Sequence, residues 1–144
     1  MSDKIRATLT IQSRTGELER ARQFVREAAL KFGFPPSEAE KIVLATDEAC
    51  TNVICHGYNS DPTHKIHIAI ETNGKSFAVM IDDEGKSYDL RKHVTPDMKK
   101  YFEERHRGGL GIKLIRLLVD EIEYAAHGSH NRLTLTKHLP NSDA

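Results

Sequence analysis

The 144 residues contain no tryptophan, only two cysteines and no excess charge of either sign, with 21 Lys plus Arg against 21 Asp plus Glu. Each shortage excludes something. Without a basic surplus there is no electrostatic case for general binding to nucleic acid or to an anionic membrane surface. No apolar run approaches the roughly 20 residues that a bilayer span needs. The first ten residues, MSDKIRATLT, lack the apolar stretch of a secretory signal. A cytoplasmic protein is the expectation. Two cysteines cannot make a disulfide framework. Cys50 and Cys55 lie five apart on one expected helix, face different directions, and read as two small buried apolar side chains. The eight histidines are scattered, His64 and His67 being the closest pair, with no HExxH or clustered Cys/His spacing. A structural metal site is not expected.

What is present is patterned apolar sequence. RATLTI (6–11) alternates as a half-buried strand does. Leu18, Ala21, Phe24, Val25, Ala28 and Ala29 then recur at helical spacing, with Ser13 or Thr15 as the expected N-cap and Gly33 as the stop. A second helix is expected from Ser37 as N-cap, with Glu40 in the capping-box position, through Ile42, Ala45, Thr46, Ala49 and Val53 to about His56. GYNSDPT reads as a loop. HKIHIAIET and KSFAVMIDD are two alternating runs separated by Asn73-Gly74, a hairpin signal. Residues 84–108 are polar and weakly patterned, with a short possible helix near 96–104, as in a functional lid. GGLGIKLIRLLVDEIEY opens a third helix, and EIEYAAH and NRLTLTKHL pair as strands around Gly128-Ser129. The order predicts a single α+β domain over 1–144, a two-layer sandwich with helices on one face of a mostly antiparallel sheet.

Three segments carry more polarity than packing asks for. Glu48 and Asn52 share a helix face four residues apart; a carboxylate can serve as general base and an amide oxygen can ligate a hard cation. A solvated helix face would look the same. MIDDEGKSYD leaves a strand at Asp82, Asp83 and Gly85, where a flat ligand could approach the backbone while an Asp accepts its hydrogen bond. A plain acidic turn is the competing reading. RGGLGIKLI puts glycines before a helix, exposing backbone N–H groups suited to phosphate or simply packing the helix entry closely.

In this order and spacing the three segments resemble the N, G1 and G2 boxes of the GHKL ATPases, the superfamily of DNA gyrase, ninety-kilodalton heat-shock chaperones, histidine kinases and MutL. DEACTNVICHGY, DDEG, GGLGIKLI with VDEIEY after it, and LTLTKHL are most similar to the small bacterial serine/threonine kinases that act as anti-sigma factors. The likeness spans residues 6 to 139.

The resemblance implies a Bergerat-type fold and Mg·ATP as cofactor. It implies Glu48 as general base, Asn52 as the Mg²⁺ ligand, and Asp83 with Gly85 at the adenine amino group. Gly109, Leu110 and Gly111 would face the phosphates, 90–108 would form the ATP lid, and Arg107 would reach the γ-phosphate. His56 reads as a half-buried histidine at a helix end. Ser87 stands where the family has a second G1 glycine. Asn131 stands near the usual Gly-Thr of the last strand, where it is expected to hydrogen-bond the base in the threonine's place.

The implied activity is phosphorylation of a serine or threonine on an anti-anti-sigma protein of STAS type. No long helical hairpin with a phosphoacceptor His is present, so autophosphorylation on histidine is not expected. The alternative is a non-catalytic module of the same fold that sequesters a sigma factor or other regulator. A homodimer is implied near the first strand and helix, where Arg20 matches a partner-contacting position. Arg20 is equally readable as a solvated side chain beside Glu17 and Glu19.

Overall fold

A computed structural model describes residues 6–58, 60–85 and 111–140. In chain order the elements are β1 (Arg6–Gln12), α1 (Leu18–Phe32), α2 (Pro36–Asn52), β2 (Lys65–Asn73), β3 (Ser76–Asp83), α3 (Gly111–Leu118), β4 (Glu121–His127) and β5 (His130–His138). The five strands form one sheet in the order β1-β2-β3-β5-β4, and every neighbouring pair is antiparallel. The expected α+β order and sandwich are observed. The possible helix at 96–104 lies outside the described residues.

The alternation seen in sequence becomes the inner face of the sheet. Ile66, Ile68 and Ile70 of β2, Phe77, Val79 and Ile81 of β3, and Leu133 and Leu135 of β5 are buried, and the residues between them face outward. Against this face α1 buries Leu18, Ala21, Val25, Ala28, Ala29 and Phe32, a stripe at three- and four-residue spacing. Phe32, Phe34 and Phe77 close one end, with ring centroids 5.6 to 5.8 Å apart. Gly33 takes φ +119° and ends α1 as expected.

α2 is buried on more than one side, because α1 and α3 both pack on it. Arg22 of α1 donates to Asp47 of α2 at 2.7 Å, and Arg26 grips Glu40 through two bonds of 2.6 and 3.0 Å. The site-bearing helix is thereby fixed in rotation as well as position.

Several local expectations are corrected. α2 begins at Pro36 behind Pro35, so Ser37 lies inside the first turn and caps nothing. Proline suits that first position because its missing N–H would be unsatisfied anyway. Glu40 pairs with Arg26 and forms no capping box. Neither Ser13 nor Thr15 caps α1: a 3-10 turn at Thr15–Glu17 precedes it. Ser13 is instead buried, donating to the Asp61 carbonyl at 2.6 Å and accepting from the His64 N–H at 3.1 Å, which ties down the loop before β2. The β2–β3 turn is Gly74-Lys75, one residue later than expected, with Gly74 at φ +62°. The β4–β5 turn is Gly128-Ser129, as expected.

Candidate functional site

The chemistry gathers where α2 ends, β3 ends and β5 begins. Glu48 and Asn52 both lie on the buried side of α2. Past Asn52 the helix widens into one π turn, Val53–Gly57, a feature frequent at functional sites. His56 is half-buried on that turn.

Asn52 is 2% exposed, and neither its Oδ1 nor its Nδ2 has a hydrogen-bond partner among the described residues. A buried amide left in this state costs about 1–3 kcal/mol. A fold does not keep such a cost inside a helix without a reason, and a bound ligand supplies one.

Asp82 and Asp83 show how the strand separates two adjacent carboxylates. Asp82 faces outward and takes both arms of Arg132, at 2.7 and 2.9 Å. Asp83 faces inward and is buried. Its Oδ1 accepts from the Gly85 N–H at 2.8 Å and from Asn131 Nδ2 at 3.1 Å. Burial pushes its carboxyl above the usual Asp range, and those two donors pull the other way.

Gly85 has a physical reason to be glycine that differs from the expected one. A Cβ there would stand 2.5 Å from the Gly57 carbonyl oxygen and 2.9 Å from Tyr58 Cδ1. The close approach is between the strand end and the π turn that follows α2, chain against chain.

Tyr58 is the residue that sequence reasoning missed. Its hydroxyl donates to the Lys65 carbonyl at 2.8 Å and accepts from the Glu84 N–H at 2.8 Å, so it pins the turn directly after Asp83. His64 stacks on its ring, 4.4 Å between centroids. Burial raises its phenol pKa. An aromatic inside a Gly/Asn/Ser/Asp/Pro loop was the available signal.

Asn131 is buried, and its Nδ2 donates to Asp83 and, at 2.9 Å, to the Gly85 carbonyl. Arg20, on α1, pairs with Glu17 at 3.0 Å and stays exposed. Cys50 is buried beside Asp47 and Asp83, its thiol pushed up to about 12 by burial first and those charges second. Cys55 is exposed, against the expectation of two buried cysteines. Gly111 opens α3; Ser87, Arg107, Gly109, Leu110 and the lid lie outside the described residues.

A groove of about 480 Å³ lies on the sheet's other face, lined by Thr8, Thr10, His67, Ala69, Met80 and Arg132 among others. The sheet separates it from Glu48, Asn52 and Asp83. Among the described residues no helix is long and apolar enough to cross a membrane.

Residues 11–137 match the family described as histidine kinase-like ATPase domain. The serine-protein kinase RsbW of Bacillus cereus is 33% identical over 115 residues, 77% of this chain and 71% of that protein. The serine/threonine-protein kinase BtrW of Bordetella bronchiseptica is 27% identical over 97 residues, 67% of this chain and 68% of that one. Among solved structures, the RsbU and RsbW domains of a Mycobacterium tuberculosis protein superpose with TM-score 0.67 at 20% identity, covering 93% of this chain and 32% of that longer one. The SiaB-SiaC complex of Pseudomonas aeruginosa gives 0.63 at 17% identity, covering 90% and 88%. The buried Glu48 and Asn52, the inward Asp83 and the closely packed Gly85 thus stand in a recognised frame: this chain belongs to the histidine kinase-like ATPase domain family, in the branch that holds serine/threonine protein kinases.

Proposed function

We infer that the protein is a Mg·ATP-dependent serine/threonine kinase that acts as an anti-sigma factor, phosphorylating an anti-anti-sigma protein of STAS type. The observation that carries this reading is the buried, uncompensated amide of Asn52, one turn beyond Glu48. An amide oxygen is a suitable ligand for Mg²⁺, which keeps several waters and phosphate oxygens and takes few protein ligands. Among the described residues no cluster of three or more His, Cys, Asp or Glu offers a metal site. A magnesium ion would be held by Asn52 together with the nucleotide.

Bound Mg·ATP supplies the transferable phosphoryl group and its charge neutralisation. The chain's own residues do the rest. Glu48 takes the proton from the substrate's serine or threonine hydroxyl, its carboxylate kept from bulk water by burial on α2. Asp83 would accept from the adenine amino group, and by the family resemblance Gly109, Leu110 and Gly111 would offer backbone donors to the phosphates and Arg107 would reach the γ-phosphate. Arg20, held by Glu17 on the exposed side of α1, belongs to a surface for a second copy or a sigma factor. Cytoplasmic residence follows from use of ATP and a transcription-regulating partner.

Calorimetric titration of ATP with and without Mg²⁺, on the native protein and on Asn52→Ala, tests the pocket. Binding in the micromolar range, on the order of −8 kcal/mol, is expected for the native protein, with metal dependence lost in the variant. Glu48→Gln should keep binding and lose phosphoryl transfer to a STAS-domain protein. If the folded native protein binds no ATP, the kinase reading fails and the sequestering module of the same fold takes its place.

A further inference from the structure

We propose that Asn131 is the positioning residue for Asp83: it fixes one carboxylate oxygen so that the other, Oδ2, is presented to the amino group of a purine. The purine is that of the nucleotide inferred above, and in that respect the proposal rests on that reading.

The geometry is particular. Asn131 is 1% exposed and stands directly opposite Asp83 in the β3–β5 register. Its Nδ2 reaches Asp83 Oδ1 at 3.1 Å and the Gly85 carbonyl at 2.9 Å. Both partners are acceptors, so only the NH₂ end of the amide can face them, and its two protons are both committed. The Gly85 N–H adds a second donor to the same Oδ1 at 2.8 Å. Among the described residues Oδ2 receives none. A carboxylate held by two donors on one oxygen cannot swing freely about its terminal torsion, so its remaining acceptor has a set direction.

An amide suits this task better than its neighbours in size. A threonine hydroxyl has one proton and could serve Asp83 or Gly85, not both. An aspartate would set two carboxylates against each other. The same Nδ2 also fastens the turn at Gly85, which Tyr58 pins from the other side through the Glu84 N–H. The Asp83–Gly85 corner is thus held by β5 on one flank and by the end of α2 on the other.

The test is a double-mutant cycle with two nucleotides and one nucleotide-free readout. Mg·ATP and Mg·inosine triphosphate, which lacks the amino group, are titrated into the unaltered protein, Asn131→Ala, Asp83→Ala and the double variant. The Asp83 carboxyl is titrated by carbon NMR in the nucleotide-free protein and in Asn131→Ala. Loss of ATP affinity of about tenfold is expected in Asn131→Ala, from loss of the orienting bond to a charged group. Inosine triphosphate should change by less than about twofold, and the ATP effect should vanish in the Asp83→Ala background. The Asp83 titration should move upward. Equal losses for both nucleotides would mark general structural support and overturn the proposal. An ATP loss that survives in Asp83→Ala would mean that Asn131 touches the base, which also overturns it. If Asn131→Ala does not fold, Asn131→Thr gives the same pattern with a smaller loss. Should the unaltered protein bind neither nucleotide, the kinase reading falls by itself; a moved Asp83 titration then still upholds the orienting role, and an unmoved one refutes it.

Discussion

Gly85 lies so close to Gly57 that a Cβ on Gly85 would sit 2.5 Å from the Gly57 carbonyl oxygen and 2.7 Å from its carbonyl carbon. This contact sets how far the end of β3, with Asp83, stands from the end of α2, with Asn52. Both partners are backbone, and neither can yield as a flexible side chain would. Gly85→Ala should therefore destabilise the protein by about 2–3 kcal/mol, the upper part of the range for overpacking. Urea denaturation measures this directly. An unchanged midpoint would mean that the two ends do not pack this tightly.

Asn52 predicts a conflict between stability and function. Leucine has nearly the same shape as asparagine and leaves no buried amide unsatisfied. Asn52→Leu should raise the stability of the nucleotide-free protein by about 1–2 kcal/mol. The same change should remove the thermal shift that Mg·ATP gives the native protein. A variant that is less stable and still shifts with Mg·ATP would contradict the assignment of Asn52.

Asp83 makes a pH dependence whose sign is fixed by its burial. Its folded pKa is raised, so between its unfolded and folded values the native state holds the proton more often than the unfolded state does. Its contribution to stability is fully present below the unfolded pKa and lost as pH rises through the folded one. Asp83→Asn should remove that loss, so the variant gains on the native protein as pH rises above the ordinary Asp range. ATP affinity should move the other way in the native protein, weakening as acid protonates the acceptor. Denaturation and nucleotide titration across the same pH series check both signs.

The two thiols should separate cleanly. Cys55 is exposed, whereas Cys50 is buried with its thiol pushed up to about 12, so little thiolate forms there near neutral pH. Native alkylation followed by mass spectrometry should show one rapid modification, at Cys55, and Cys50 should react only on unfolding. Fast labelling of Cys50 would show that the wall beside Asp83 opens to solvent.

Much of this was legible before any coordinates, for a physical reason. Strand and helix periodicities report which side chains meet the core, so Ile66, Ile68, Ile70, Phe77, Val79 and Ile81 declared an inner sheet face, and Leu18, Ala21, Val25 and Ala28 a helix stripe to cover it. The same alternation turned Asp83 inward and Asp82 outward, and the ordered Glu48/Asn52, Asp83/Gly85 and Gly109/Gly111 segments pointed to the family. What the tertiary structure alone decided were the partners of polar groups. Ser13, placed as a helix cap by its neighbours in sequence, is bound to Asp61 and His64 about fifty residues away. Asn131 owes its partners Asp83 and Gly85 to the β3–β5 register, which no local pattern around it announces. Gly85 is glycine because Gly57 arrives from another element, and Tyr58 matters because Glu84 and Lys65 end within reach of its hydroxyl. Burial follows from local pattern, since the hydrophobic effect is non-directional. Hydrogen bonds need a particular atom at a particular distance and angle, and only the folded chain brings those atoms together.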